Sequence, residues 1–222
     1  MSMLEDGKKE KIAHIVHGDV LEGQQNSLTT IRNLLCSSYP TSRTVKKDFE
    51  SKLRVKKEQA EFLIRYCNSH DLFLRNLPVK EQFIAKGGEA IVYLSIDRRN
   101  VIKLNDAVYY ATWLEFFNSV LLHNILFPHT SYQLLGVSII DNKLMAVLEQ
   151  PYIISDSLVD LADIKEFLEY NGFKNTKRQD YKNDEMGLIL EDMHDENVLR
   201  NADTLFIIDS VFYTVSTDMQ AD

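Results

Sequence analysis

Cysteine, proline and tryptophan are scarce in this chain, with two Cys, four Pro and one Trp among 222 residues. Cys36 and Cys67 lie far apart and form no CxxC pair. Two cysteines allow one bridge, but in a reducing compartment both thiols are expected free and partly buried. The six histidines show neither HExxH nor a paired Cys/His spacing, which leaves a zinc site without support. Apolar runs of the ~20 residues needed to cross a bilayer are missing, and the first twenty residues lack the basic-then-apolar order of a signal peptide. A cytoplasmic protein with no membrane partner is therefore expected. Excess positive charge is also missing, since 25 Lys and Arg face 33 Asp and Glu for a formal net charge of −8. General nucleic-acid binding needs a cationic face for phosphates, so the balance argues against it, a local basic groove apart.

What is present is a substantial apolar fraction, 45% of residues, enough for one core or one core with a small satellite. Residues 1–24 are polar, charged and aperiodic, and are expected to form a mobile or loosely docked tail. Residues 25–78 turn helical. Ser27 is a candidate cap for a helix carrying Leu28, Ile31, Leu34 and Leu35, the segment Tyr39–Ser42 breaks it, and Phe49, Leu53, Phe62, Leu63, Tyr66 and Cys67 suggest two further helical stretches. Texture changes over residues 79–153. Gln82–Ala85, the turn Lys86-Gly87-Gly88-Glu89 and Ala90–Ile96 read as strand, glycine turn and strand; Val101–Leu104 is a third strand. A helix is expected from Thr112 to about Phe127, then strands at Tyr132–Ile140 and Lys143–Leu148 joined at Asp141-Asn142. Residues 154–222 add a helix near Leu161–Tyr170, a polar stretch, and strands at Gly187–Glu191 and Leu205–Ile208. Helices, then a meander, then mixed elements make an α+β order rather than alternating βαβ.

The chemistry concentrates near the C-terminal end. Asp192 lies five residues before Asn197, and Asp209 closes the apolar run Phe206-Ile207-Ile208 twelve residues after Asn197. An apolar strand fixes the place of its terminal carboxylate, and magnesium takes a few hard oxygen ligands such as carboxylate and amide carbonyl, leaving the rest to water and phosphate. Asn197 and Asp209 are thus candidate metal ligands, and Asp192 a candidate for orienting an attacking hydroxyl. A polar loop between two strands would carry the same letters. Upstream, Gly87 and Gly88 let backbone amides approach phosphate oxygens, though a glycine pair is also an ordinary turn. Lys103 sits in an otherwise apolar strand, as a phosphate-directed ammonium or as an edge lysine facing solvent. Glu115, early in the following helix, is its candidate partner or a solvated helix-start carboxylate.

Taken together, Lys86–Tyr93, Val101–Asn105, Leu122-His123-Asn124-Ile125-Leu126-Phe127-Pro128, Glu149–Tyr152, Leu190–Leu199 and Phe206–Asp209 resemble the protein-kinase-like family found in polyvalent proteins of phages and mobile elements, related to aminoglycoside-type phosphotransferases. The resemblance runs from about Leu53 to Tyr213 and implies a kinase-like fold with a β-rich N-lobe, a glycine loop, a reduced C-lobe and a helical N-terminal extension. It further implies ATP and Mg2+ as cofactors. By position, Lys103 is similar to the phosphate-binding strand lysine, Asp192 to the catalytic aspartate, and Asn197 and Asp209 to the two magnesium ligands. His194 falls where kinases keep a donor near the transferring phosphate, and Leu148–Pro151, with Glu149 and Gln150, falls at the adenine-recognising hinge. Three departures stand out. Only Gly87 falls on the three-glycine pattern, Leu190 replaces the histidine that opens the catalytic loop, and Ser210-Val211 follows Asp209 in place of Phe-Gly. The resemblance therefore implies a nucleotide partner with an unknown protein or small-molecule phosphate acceptor. Three readings stay open: an active phosphotransferase, a pseudokinase that binds nucleotide without transferring phosphate, and an interaction scaffold.

Overall fold

A computed structural model describes residues 6–23, 26–39 and 49–215, the side chains of 49–51 excepted. The elements are α1 (Asp6–His17), α2 (Ser27–Ser38), α3 (Phe49–Ser69), β1 (Phe83–Lys86), β2 (Ala90–Leu94), β3 (Asn100–Asn105), α4 (Trp113–Leu126), β4 (Gln133–Ile140) and β5 (Lys143–Pro151). They continue with α5 (Leu161–Tyr170), β6 (Lys174–Lys177), β7 (Asp180–Asn183), β8 (Leu188–Glu191), β9 (Val198–Asn201), β10 (Thr204–Ile207) and β11 (Val211–Thr214). Every pairing between these strands is antiparallel, so the architecture is α+β. The chain divides into two compact units. One holds the residues up to Leu21, Asn118–Thr130 and the residues from Ile153 on; the other holds Glu22–Phe117 and Ser131–Tyr152.

In the second unit a five-stranded sheet runs in the order β1-β2-β3-β5-β4. Strand side chains alternate between faces. Ile102 and Leu104 of β3 therefore pack with Met145 and Val147 of β5 on one face, leaving Lys103 on the other. The β4–β5 hairpin turns on Asp141 and Asn142, both at positive φ (49° and 61°), a conformation Asp and Asn tolerate and one that matches strand twist. Leu28, Ile31 and Leu35 repeat at helical spacing and are sealed in α2. The cap of that helix is Asn26, whose side chain accepts the Thr29 N–H at 2.9 Å, so the expected cap at Ser27 is one residue late and Ser27 is already helical. Tyr39 ends α2, and the remainder of the expected break, from Pro40 to Ser42, lies outside the described residues. Two expected helical stretches over Phe49–Cys67 are a single helix, α3, because no Gly or Pro interrupts it.

The other unit corrects the expectation of a polar tail over residues 1–24. Helix α1 forms within it and buries Ile12 and Ile15, a short apolar face hidden among charged residues. The polar stretch after Tyr170 is also ordered, as the β6–β7 hairpin in a four-stranded sheet of order β11-β8-β7-β6. Helix α5 spans the expected residues; Asp160 caps it by accepting the Ala162 N–H at 2.9 Å, and Ile164 and Leu168 bury one face. The β9–β10 pair forms a separate hairpin, with Ile207 opposite Val198 at its open end.

Candidate functional site

That open end matters because Asn197 precedes Val198 and Asp209 follows two residues after Ile207. The carbonyl of Asn197 accepts the N–H of Ile208 at 2.9 Å and of Asp209 at 3.3 Å. Its side-chain Nδ2 donates to the main-chain oxygen of Asp192 at 2.8 Å and to Asp192 Oδ2 at 3.2 Å. One residue thus joins Asp192 and Asp209, candidates separated by most of a hairpin. Because the amide nitrogen is turned to Asp192, the carbonyl oxygen Oδ1 is the end that faces away from it.

Asp192 follows β8 directly and adopts a positive φ of 66°, sparsely populated for a residue with a side chain. The next residue, Met193, is fully buried and donates its N–H to Gln179 O at 3.0 Å, which fixes the loop from below. Asp192 itself stays exposed. His194 Nδ1 accepts the N–H of Glu196 at 3.3 Å, so in a neutral ring the proton resides on Nε2. Nε2 lies 3.3 Å from Asp192 Oδ1, which accepts that proton's hydrogen bond. Asn197 Nδ2 is 3.2 Å from the same Nε2, and with both nitrogens protonated this is a contact of two donors. Behind the loop, burial and then the charges of Asp180 and Asp192 hold the Glu191 carboxyl above its usual range.

The other unit carries the remaining candidates. Lys103 is buried, so its ammonium needs compensation. It donates to the Tyr132 hydroxyl at 3.0 Å and stands 5.2 Å from the centre of that ring, close enough for cation–π attraction. Glu115 accepts the Ala111 N–H through Oε2 at 2.9 Å, while its own N–H donates to Thr112 Oγ1 at 3.1 Å, an arrangement that caps the start of α4. Opposite Lys103 on β5 is Leu148; Gln150 shares its face and is fully buried, while Glu149 lies on the other face, half-buried opposite Ile102. Gly87 donates its N–H to Ala90 O at 2.8 Å to close the turn between β1 and β2. A Cβ on Gly88 would meet only the hydroxyl end of the exposed Tyr109 side chain, which can swing aside.

The four candidates Asp192, His194, Asn197 and Asp209 therefore fall in one unit, and Lys103, Glu115, Gly87, Gly88, Glu149 and Gln150 in the other. Among the described residues no group of three or more His, Cys, Asp or Glu is gathered to hold a metal. Magnesium is usually bound through one or two protein oxygens plus phosphates and water, and Asp209 and Asn197, joined by a backbone hydrogen bond, each carry a side-chain oxygen of that kind. Tyr132 was not marked by the sequence beyond an aromatic at a strand start, and only its contact with Lys103 singles it out.

A family model described as Serine/Threonine/Tyrosine Kinase found in polyvalent proteins matches residues 56–216. No curated protein and no solved structure matches the chain.

Proposed function

The chain belongs to this family of kinases found in polyvalent proteins, and on that premise we propose that it is an ATP- and magnesium-dependent phosphotransferase acting on a hydroxyl acceptor. The observation that carries the reading is the double attachment of Asn197, by side chain to Asp192 and by carbonyl to Asp209. Mg·ATP supplies the phosphoryl group and neutralises its charge, with Asn197 Oδ1 and the Asp209 carboxylate as the groups that would hold the metal. Asp192 orients the acceptor hydroxyl and takes up its proton. His194 Nε2–H, bonded to Asp192, keeps that carboxylate aimed. Lys103, steadied by Tyr132, binds phosphate oxygens, and the backbone amides around Gly87 and Gly88 cradle them. Glu149 and Gln150 present strand backbone to the adenine edge. In such chemistry the protein mainly supplies position and charge.

The test is phosphate release from Mg·ATP, with water standing in for the acceptor, by the wild type and Asp192→Asn. Turnover falls about 10²–10⁴-fold, the usual scale for a general base, while ATP affinity holds. Equal turnover in the variant removes Asp192 from the mechanism. A second reading, nucleotide binding without transfer, is favoured by Glu115, which turns one carboxylate oxygen to its own helix start. A Mg·ATP-dependent rise in Tm with no turnover in the wild type would select it.

A further inference from the structure

The Leu122–Pro128 stretch has no part in the mechanism above, yet its histidine lies in a built polar network. Ser119 and His123 stand four apart on α4, on one side of the helix, and both are 1% exposed. Ser119 Oγ accepts the Phe212 N–H at 2.9 Å. His123 Nδ1 lies 2.7 Å from Ser210 Oγ, and Nε2 lies 3.0 Å from the main-chain oxygen of Thr130. A carbonyl only accepts, so in the neutral ring Nε2 carries the proton and Nδ1 accepts the Ser210 hydroxyl. Thr130 in turn donates its hydroxyl to Ile207 O at 2.6 Å. The strand end is thereby pinned at residues 207, 210 and 212, on both sides of Asp209. Ser210 completes the link by donating its N–H to Asp209 Oδ1 at 3.0 Å.

Burying an imidazole and three hydroxyls costs desolvation that apolar residues of similar size would avoid. Packing alone gives no reason for them, whereas orientation does, because hydrogen bonds fix direction where apolar contacts do not. The position after Asp209, filled by Ser210, is the one that reaches His123. We infer that His123, acting through Ser210 and with Ser119 and Thr130, is a positioning residue that sets the Asp209 carboxylate for magnesium. The inference rests on the reading of Asp209 as a metal ligand.

Magnesium is titrated at fixed ATP with Tm as the readout, for the wild type, Ser210→Ala, Ser210→Thr and Asp209→Asn. Ser210→Ala keeps the backbone N–H to Asp209 and loses only the link to His123. It raises the magnesium midpoint roughly 10–100-fold, the scale for groups that orient a metal ligand. Ser210→Thr, which keeps a hydroxyl, restores most of that loss, whereas a purely structural role would lower the magnesium-free Tm of Ser210→Ala and leave its magnesium midpoint where it is. A wild-type midpoint in Ser210→Ala, with the response abolished in Asp209→Asn, overturns this inference alone. A wild type whose Tm ignores magnesium, or an Asp209→Asn variant that keeps the response, removes the metal reading and this inference with it.

Discussion

Asp192 is held in a backbone conformation that works against it. Its φ of 66° lies in the left-handed region, and its charge adds, after burial and the charge of Asp180, to what raises the Glu191 carboxyl. Residues that break local rules tend to be retained for function at a cost in stability. Asn tolerates the same φ and carries no charge, so Asp192→Asn removes that repulsion without adding backbone strain, and its one carbonyl oxygen can still accept from His194 or Asn197. The sign follows from Glu191. A carboxyl raised on folding contributes stability below the ordinary carboxylate pKa, and loses it as pH rises through the raised value. The repulsion from Asp192 acts on the ionised form of Glu191, which prevails once pH is above the raised value. The variant that loses turnover should therefore melt a few degrees higher at pH 7, in keeping with an effect of about 1 kcal/mol or less at an exposed group. That gain shrinks as pH falls through the carboxylate range. Melting curves at pH 7 and pH 4 check it, and a variant less stable than wild type at pH 7 would refute the argument.

Among the elements, the edge of the five-stranded sheet shows a different constraint. Strand β4 lies at the end of the strand order, where unpaired backbone invites association. The segment after α3 covers it, with Leu74 N–H donating to Val137 O and Val137 N–H to Leu72 O, each at 2.8 Å. The strand is bulged between Leu134 and Gly136, and a Cβ on Gly136 would stand 2.1 Å from the Leu72 carbonyl oxygen. Backbone cannot swing aside as a side chain can. Gly136→Ala should cost about 2–4 kcal/mol, the range of a substitution that forces strained backbone apart, read as a lower urea midpoint at unchanged slope. A midpoint within error of wild type would mean that the cover is dispensable. The elements also mark how far the sequence could be read. Strand β3, the Asp141-Asn142 hairpin and α5 follow from apolar runs, turn residues and the Asp160 cap. Strand β6, Lys-Asn-Thr-Lys, buries no side chain and pairs through its backbone, so no periodicity marks it. Helix α1 hides two buried isoleucines among charges. The candidate site divides the same way. Asp192, Asn197 and Asp209 lie close in sequence and carry their chemistry in their spacing, whereas His123 meets Ser210 across 87 residues, a separation at which local pattern says nothing.

For the molecule as a whole, helix α4 supplies Trp113–Phe117 to one unit and Asn118–Leu126 to the other. The helix is continuous across that division, with Phe116 and Phe117 buried before it and Leu122 after it, and helix formation is cooperative along its length. Unfolding should then run as one transition, with no state in which one unit is open and the other intact. Cys67 reports on this from within α3. It is fully buried, and burial pushes its thiol up to about 11, so in the native state it is both shielded and almost wholly protonated at pH 8. Iodoacetamide at pH 8 should modify it at least about 100-fold more slowly in native buffer than in concentrated urea, from the loss of thiolate alone. Because access then depends on opening, the urea dependence of its alkylation should coincide with the loss of helical circular dichroism. Alkylation that completes well below that transition would show the two units opening separately, and the shared helix would have to fray at Phe117–Asn118 to permit it.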